Sequence, residues 1–331
     1  MKSRGTTIWK ELKHRLLNTW GSYLGLIVFL TVFRILPLRI GRFIARVSGI
    51  IWFWLDGMHR RIGLENLALA FPEKSEAERR AILRASCSHL ATCAVEMCQF
   101  LSMRREDVCG KWVVVEDGSE ACAQAAAALG KGVIGASGHI GSWELSGFVF
   151  PAMGYPSVCI ARRVRAPLVD AELNRIRMLL GNVIIQQEGA LRHILRAMKE
   201  QKFVGVIMDL YAGSKNPQVR MFGHETSTVD TVARLHLKTG APIVTNLMMR
   251  RPDGRYLWRC RRVEIPALRP GEDSDAHVRA ILESCNQAFE QTIREFPEQW
   301  LWMHRRWRQS KNVSLAISET QPEPAAQVSE S

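Results

Sequence analysis

The segment "GHIGSWELSG", residues 138–147, holds two side chains suited to proton transfer, His139 and Glu144, five positions apart. An imidazole takes up a proton near neutral pH. A carboxylate beside it can fix its tautomer and stabilise the imidazolium, leaving the other ring nitrogen as a general base. On one α-helix a spacing of five would leave the two roughly 140° apart. They meet only if His139 precedes the helix and the chain turns back. Gly138 and Gly141 bracket the histidine, and glycine permits such a turn. The spacing alone says little: with nine histidines and 32 acidic residues in 331, about one such pair arises by chance. The glycines and the apolar run before them carry the reading. No G-x-S-x-G supplies a nucleophilic serine. His139 is therefore expected to activate an external hydroxyl without a covalent enzyme intermediate.

Placing these residues requires a strand that ends just before them. The run Gly132–Ala136 reads as that strand and would deliver His139 to the carboxyl end of a sheet, where α/β proteins bind ligands. From about residue 111, β-rich runs alternate with helical ones. Further strands are expected at Ser157–Ala161, Asn182–Gln186, Phe203–Met208, Pro242–Met249 and Tyr256–Val263. Helices are expected near 119–129, 142–150, 168–180, 189–200, 229–239 and 276–295. The alternation predicts an α/β fold with a mostly parallel central sheet flanked by helices. Upstream, residues 60–101 read as helices. "SEAE", Ser75–Glu78, matches a capping box, and Leu83, Cys87, Leu90, Ala94 and Met97 form an apolar stripe.

The N-terminus differs. Lys2, Arg4, Lys10, Lys13 and Arg15 precede Leu16–Phe33, an uncharged run of 18 residues, and residues 41–58 form a second apolar patch. Residues 1–58 are expected to form a basic, helical membrane anchor, either a single span or a segment lying in the interface. The main domain is expected over 59–310 and a disordered tail over 311–331. The formal net charge of +13 points to an anionic partner: nucleic acid, anionic lipid or an acidic carrier. RRM, KH and zinc-finger signatures are missing, so nucleic acid is set aside. "WLWMHRRWRQ" brings Trp300, Trp302 and Trp307 beside arginines. It reads either as a docking patch for a bilayer or acidic carrier, or as core packing with arginines reaching outward. The eight cysteines show no C-x-x-C pair and read as buried thiols in a reducing compartment rather than metal ligands or disulfides.

Several ordered blocks extend the argument. "GHIGSWELSG" resembles the H-x4-D/E box of the lysophospholipid acyltransferase superfamily. More narrowly, the chain resembles the bacterial lipid A biosynthesis (lauroyl/myristoyl) acyltransferases. The resemblance includes "ENLALAFPEKSEAER", "RRVRAPLVDAELNRIRMLLG", "GVIMDL", "VRMFG", "TGAPIV" and "IREFPEQWLWMHRRW", and covers roughly residues 55–308. It implies a glycerolipid acyltransferase-like fold. It also implies transfer of an acyl chain from acyl carrier protein, or CoA, to a hydroxyl of a membrane glycolipid, most readily a lipid A precursor. By that resemblance His139 is the base and Glu144 its partner. Arg177 and Asp209 match two further positions linked to catalysis, and Arg162 opens the second block. No metal and no cofactor beyond the donor are implied. The implied partners are the acidic carrier protein, the lipid acceptor and the bilayer surface, with the catalytic domain on the cytoplasmic face of the inner membrane.

Arg162, Arg163, Arg165, Arg175 and Arg177 fall within sixteen residues. Arg162, Arg163 and Arg175 are expected to grip phosphates of the acceptor or of the phosphopantetheine arm. Arg175 and Arg177 stand two apart on a helix, so only one of them is expected to enter the site. Leu210 replaces the glutamine usual after Asp209, and Asp230 replaces a glycine, which leaves the acceptor open. Another lipid acceptor, phospholipid or glycosylated phosphatidylinositol, fits the same chemistry. So does hydrolysis of a thioester or lipid by the same dyad.

Overall fold

The computed structural model describes residues 20–267, 271 and 273–308. The basic stretch 1–15, the first residues of the apolar run and the expected tail at 311–331 lie outside the described residues. A helix over residues 20–35, α1, stops before Pro37, whose ring cannot continue it, and Pro37 caps α2 (Leu38–Leu55). There follow α3 (Gly57–Ala70), α4 (Glu76–Phe100) and a single turn, α5 (Arg105–Asp107). The expected capping box opens α4: Glu78 N–H donates to Ser75 Oγ at 3.3 Å, and Ser75 N–H donates to Glu78 Oε2 at 2.8 Å. The buried residues of α2 are Gly41, Ala45, Gly49 and Phe53, one per turn, so a single narrow stripe lies inward. Small residues there let α2 settle on α4. A Cβ at Gly49 would stand 2.4 Å from the Ser88 Cα.

The central sheet has five parallel strands: β2 (Val133–Ser137), β3 (Ser157–Ala161), β4 (Val183–Gln186), β5 (Phe203–Ile207) and β8 (Ile243–Thr245). Their spatial order is β4-β3-β5-β2-β8. The connecting helices are α7 (Trp143–Ala152), α8 (Pro167–Arg177), α9 (Ala190–Lys199) and α10 (Thr231–Thr239). Side chains alternate across this sheet. Ile134, Ala136, Val204, Val206 and Ile243 enter one core cluster, whereas Val133, Phe203 and Val244 enter the other. The first cluster is completed by α11 (Ser274–Glu295), the second by α6 (Ser119–Ala128) and α7. Covered on both faces, β2 is buried throughout.

The α/β architecture with its parallel sheet and flanking helices therefore stands as the alternation indicated. Two details differ. The expected strand Pro242–Met249 is two strands in two sheets. After β8 the chain pivots at Asn246 into β9 (Leu247–Arg250), which pairs antiparallel with β10 (Tyr256–Arg259). A short β1 (Val113–Val115) adds to β10 in parallel. The pivot is held because Asn246 accepts from Trp258 Nε1 at 2.8 Å while its N–H donates to the Ala136 carbonyl at 2.9 Å. The second detail is a hairpin, β6 (Gln218–Met221) and β7 (His224–Ser227), turning on Phe222 and Gly223, both at positive φ. A Phe-Gly turn lacks the usual Asn-Gly or Asp-Gly signal, so it is hard to read from sequence.

The expected membrane anchor is corrected in one respect. No helix among the described residues is long and apolar enough to cross a membrane. Instead α1 and α2 leave large apolar side chains exposed, among them Trp20, Leu24, Ile35, Phe43, Trp54 and Leu55.

Candidate active site

Parallel pairing builds the site. Ser137 at the end of β2 stands in register with Ile207 at the end of β5. Two residues beyond each lie His139 and Asp209, so the register sets them side by side at the carboxyl edge. Gly138 makes the approach possible, since a Cβ there would lie 2.9 Å from Asp209 Oδ2. Gly141 then turns the chain at φ +61°, so close to the neighbouring strand that a Cβ would meet the Met248 carbonyl oxygen.

His139 Nδ1 lies 2.8 Å from Asp209 Oδ1, and the His139 backbone N–H donates to Oδ2 at 2.6 Å. Trp300 Nε1–H donates to the same Oδ2 at 2.8 Å. Asp209 is 0% exposed. Burial opposes its charge, yet the His139 charge and these donors outweigh that and hold the carboxyl below its ordinary range. An ionised carboxylate only accepts, so Nδ1 carries the proton and Nε2 keeps its lone pair. The His139 side chain is 16% exposed and is therefore reachable from solvent. Burial disfavours the imidazolium. The Asp209 charge, its hydrogen bond and the Glu144 charge overcome that, and the His139 pKa rises above its ordinary value.

The expected orienting partner is thereby corrected. His139 does precede α7 and the chain does turn, but the Glu144 carboxylate faces another way. It takes both arms of Arg177, Nε at 2.9 Å and Nη2 at 2.6 Å. Glu144 lies in the first turn of α7 and Arg177 in the last turn of α8, each favoured there by the helix dipole. Asn182 ties the two helices further, donating to the carbonyls of Gly147 and Arg177. Glu144 acts on the ring only through its charge.

The other arginines divide. Arg162 and Arg163 are exposed just past β3, leaving the sheet at the same edge as Asp209 and His139. Arg175 turns away from Arg177 and forms an exposed fork with Glu172, at 2.6 Å and 2.9 Å.

The C-terminal "WLWMHRRW" segment is not a tryptophan docking patch. Trp300, Trp302 and Trp307 are all buried, while Arg305 and Arg308 are exposed. The segment straps the dyad. Ile140 bridges to Trp300, and Leu301 N–H donates to the His139 carbonyl at 3.2 Å. Asn66 on α3 holds the carbonyls of Trp302 and His304, both at 2.6 Å. His304 Nε2 accepts from Tyr211 N–H at 3.1 Å, and Arg306 donates to the Leu210 carbonyl at 2.7 Å. The two residues after Asp209 are thus held from the strap. These supporting roles of Trp300, His304 and Arg306 escape sequence reading, because they depend on contacts some 90 residues apart. The resemblance names Asp209, but not as the partner of the ring; the signal that could have paired it with His139 is simpler: two expected strands, each followed closely by a titratable residue.

In chemical terms the site offers a solvent-reachable base, a buried carboxylate to stabilise its protonated form, and cations along the same edge. A family model described as "Bacterial lipid A biosynthesis acyltransferase" matches residues 9–309. The chain is also similar to the lipid A biosynthesis lauroyltransferase of Escherichia coli (strain K12), with 27% identity over 252 residues, 73% of this chain and 77% of that protein.

Proposed function

We propose, from the premise that this chain belongs to the bacterial lipid A biosynthesis acyltransferase family, a specific reaction: transfer of a fatty acyl group from a thioester of acyl carrier protein, or CoA, to a hydroxyl of a lipid A precursor. The acceptor hydroxyl approaches His139 Nε2 and gives up its proton as its oxygen attacks the thioester carbonyl. The tetrahedral intermediate then collapses. The carbon–sulfur bond breaks, and the leaving sulfur takes the proton from the imidazolium, giving an ester and a free thiol. Asp209 stabilises the imidazolium in between. Proton transfer of this kind contributes about 10²–10⁴ in rate.

The observation that carries the reading is the His139–Asp209 pair at the carboxyl edge of a parallel sheet. Glu144 raises the basicity of the ring through its charge, and Arg177 fixes Glu144. Arg162 and Arg163 are suited to hold phosphates of the donor arm or the acceptor, whereas Arg175 is committed to its fork with Glu172 and stands outside that grip. The acidic carrier is the donor partner that a basic protein favours. The exposed apolar residues of α1 and α2 suit an interfacial anchor lying in the cytoplasmic leaflet of the inner membrane, with the catalytic domain on that face.

The test is an assay of the purified protein with acyl carrier protein thioester and lipid A precursor, read by mass spectrometry. One added acyl group is expected, falling at least a hundredfold in His139→Ala. Free fatty acid in equal yield without the acceptor would overturn transfer in favour of hydrolysis.

A further inference from the structure

Away from His139, a cavity of about 550 Å³ opens between α2, α4 and the turn after β9. Four guanidinium groups line it: Arg46 from α2, Arg84 from α4, and Arg250 and Arg251 from the end of β9. Glu298 is the one acidic residue in its lining. Arg46 and Arg84 are exposed and form no ion pair among the described residues. Arg250 bonds Glu96 at 2.5 Å, but Arg42 shares that carboxylate. Arg251 reaches Asp253, which Arg255 shares. Neither carboxylate neutralises its group, so the cavity keeps an excess of positive charge.

We infer that this cavity is a second anion site and binds the phosphate head group of a bilayer lipid. Arginine forks match phosphate oxygens, and a concave cluster of them selects a compact anion over a diffuse acidic surface. The lipid source follows from the neighbourhood. Ile50 lines the cavity, and the same helix exposes Phe43, Val47, Ile51 and Trp54. A ligand with a charged head and an apolar tail satisfies both. This assignment rests on the reading that α1 and α2 face the bilayer.

The cavity also touches the catalytic loop from behind. His89 and Gln299 belong to its wall. The Gln299 carbonyl accepts from Gly141 N–H at 2.8 Å, and Cys93, whose Sγ lies 3.3 Å from His89 Nε2, donates to the Gly141 carbonyl at 3.6 Å. A bound head group therefore sits against the residues that hold the His139 turn.

The test uses the full chain and the double variant Arg46→Ser/Arg84→Ser, whose side chains support no described ion pair. Co-sedimentation is measured with neutral phosphatidylcholine vesicles, and with vesicles brought to equal negative charge by phosphatidic acid or by oleate. The wild type is expected to favour phosphatidic acid over oleate. The double variant is expected to lose that preference, roughly tenfold or more in apparent affinity, with neutral-vesicle binding unchanged. No preference in the wild type, or a preference kept in the variant, overturns the site. Full block by inorganic phosphate at equal affinity assigns the cavity to free phosphate instead. Loss of apo acyl carrier protein binding with vesicle binding intact assigns it to a protein partner. Failure to bind neutral vesicles overturns the bilayer-facing reading separately.

Discussion

Two carboxylates stand near His139, and they live in different surroundings. Asp209 lies at the end of a central strand, sealed from solvent, with one ring nitrogen, one backbone N–H and one indole N–H directed at it. Glu144 lies on the first turn of α7, 22% exposed, and is held by a guanidinium that is 26% exposed. The first is a fixed charge placed directly on the imidazole. The second is an ion pair that shapes the field beside it. The carboxylate near in sequence is therefore not the one that fixes the ring. Parallel register, rather than chain proximity, decides which acid touches the base.

Substitutions rank by which of the two carboxylates they touch. His139→Ala and Asp209→Asn should each lower acyl transfer by about 10²–10⁴, measured as turnover with thioester donor and lipid acceptor. Trp300→Phe keeps the ring stack but removes a donor to a buried charge. It should cost about 1.5–3 kcal/mol of transition-state stabilisation, roughly a tenfold to hundredfold fall in kcat/KM. Glu144→Gln should have a smaller effect, roughly tenfold, with the acid limb of the pH profile moved slightly to lower pH. Its coupling to Arg177→Ala, from a double-mutant cycle in thermal unfolding, should be about 1 kcal/mol. Arg175→Ala breaks only an exposed pair and should leave turnover within roughly twofold. A Glu144→Gln loss equal to that of Asp209→Asn would erase the distinction.

The same contrast shows what was legible in the sequence. The strand before His139 and the helix after it follow from an apolar run, two glycines and the start of α7, all local signals. The capping box at Ser75 is local too, and it forms. What stayed hidden is non-local. The pairing of β2 with β5 sets Asp209 on the ring, and no spacing within "GHIGSWELSG" encodes it. For Trp300 the sequence leaves a docking patch and core packing both open; the structure buries it, and the arginines beside it divide: Arg306 points inward to backbone carbonyls while Arg305 and Arg308 face out. The split of one apolar run at Asn246 is likewise invisible locally, since both halves are buried strand and only their partners differ.

The central claim is that Asp209, not Glu144, sets the proton affinity of a catalytic His139. The pH dependence of kcat/KM, compared between wild type and Asp209→Asn, tests it most directly. The active form is the neutral ring, so the rate should climb with pH through an inflection above the ordinary histidine value of 6.5. In Asp209→Asn that inflection should move to lower pH while the plateau drops at least a hundredfold. Identical inflections and plateaus in the two proteins would contradict the account.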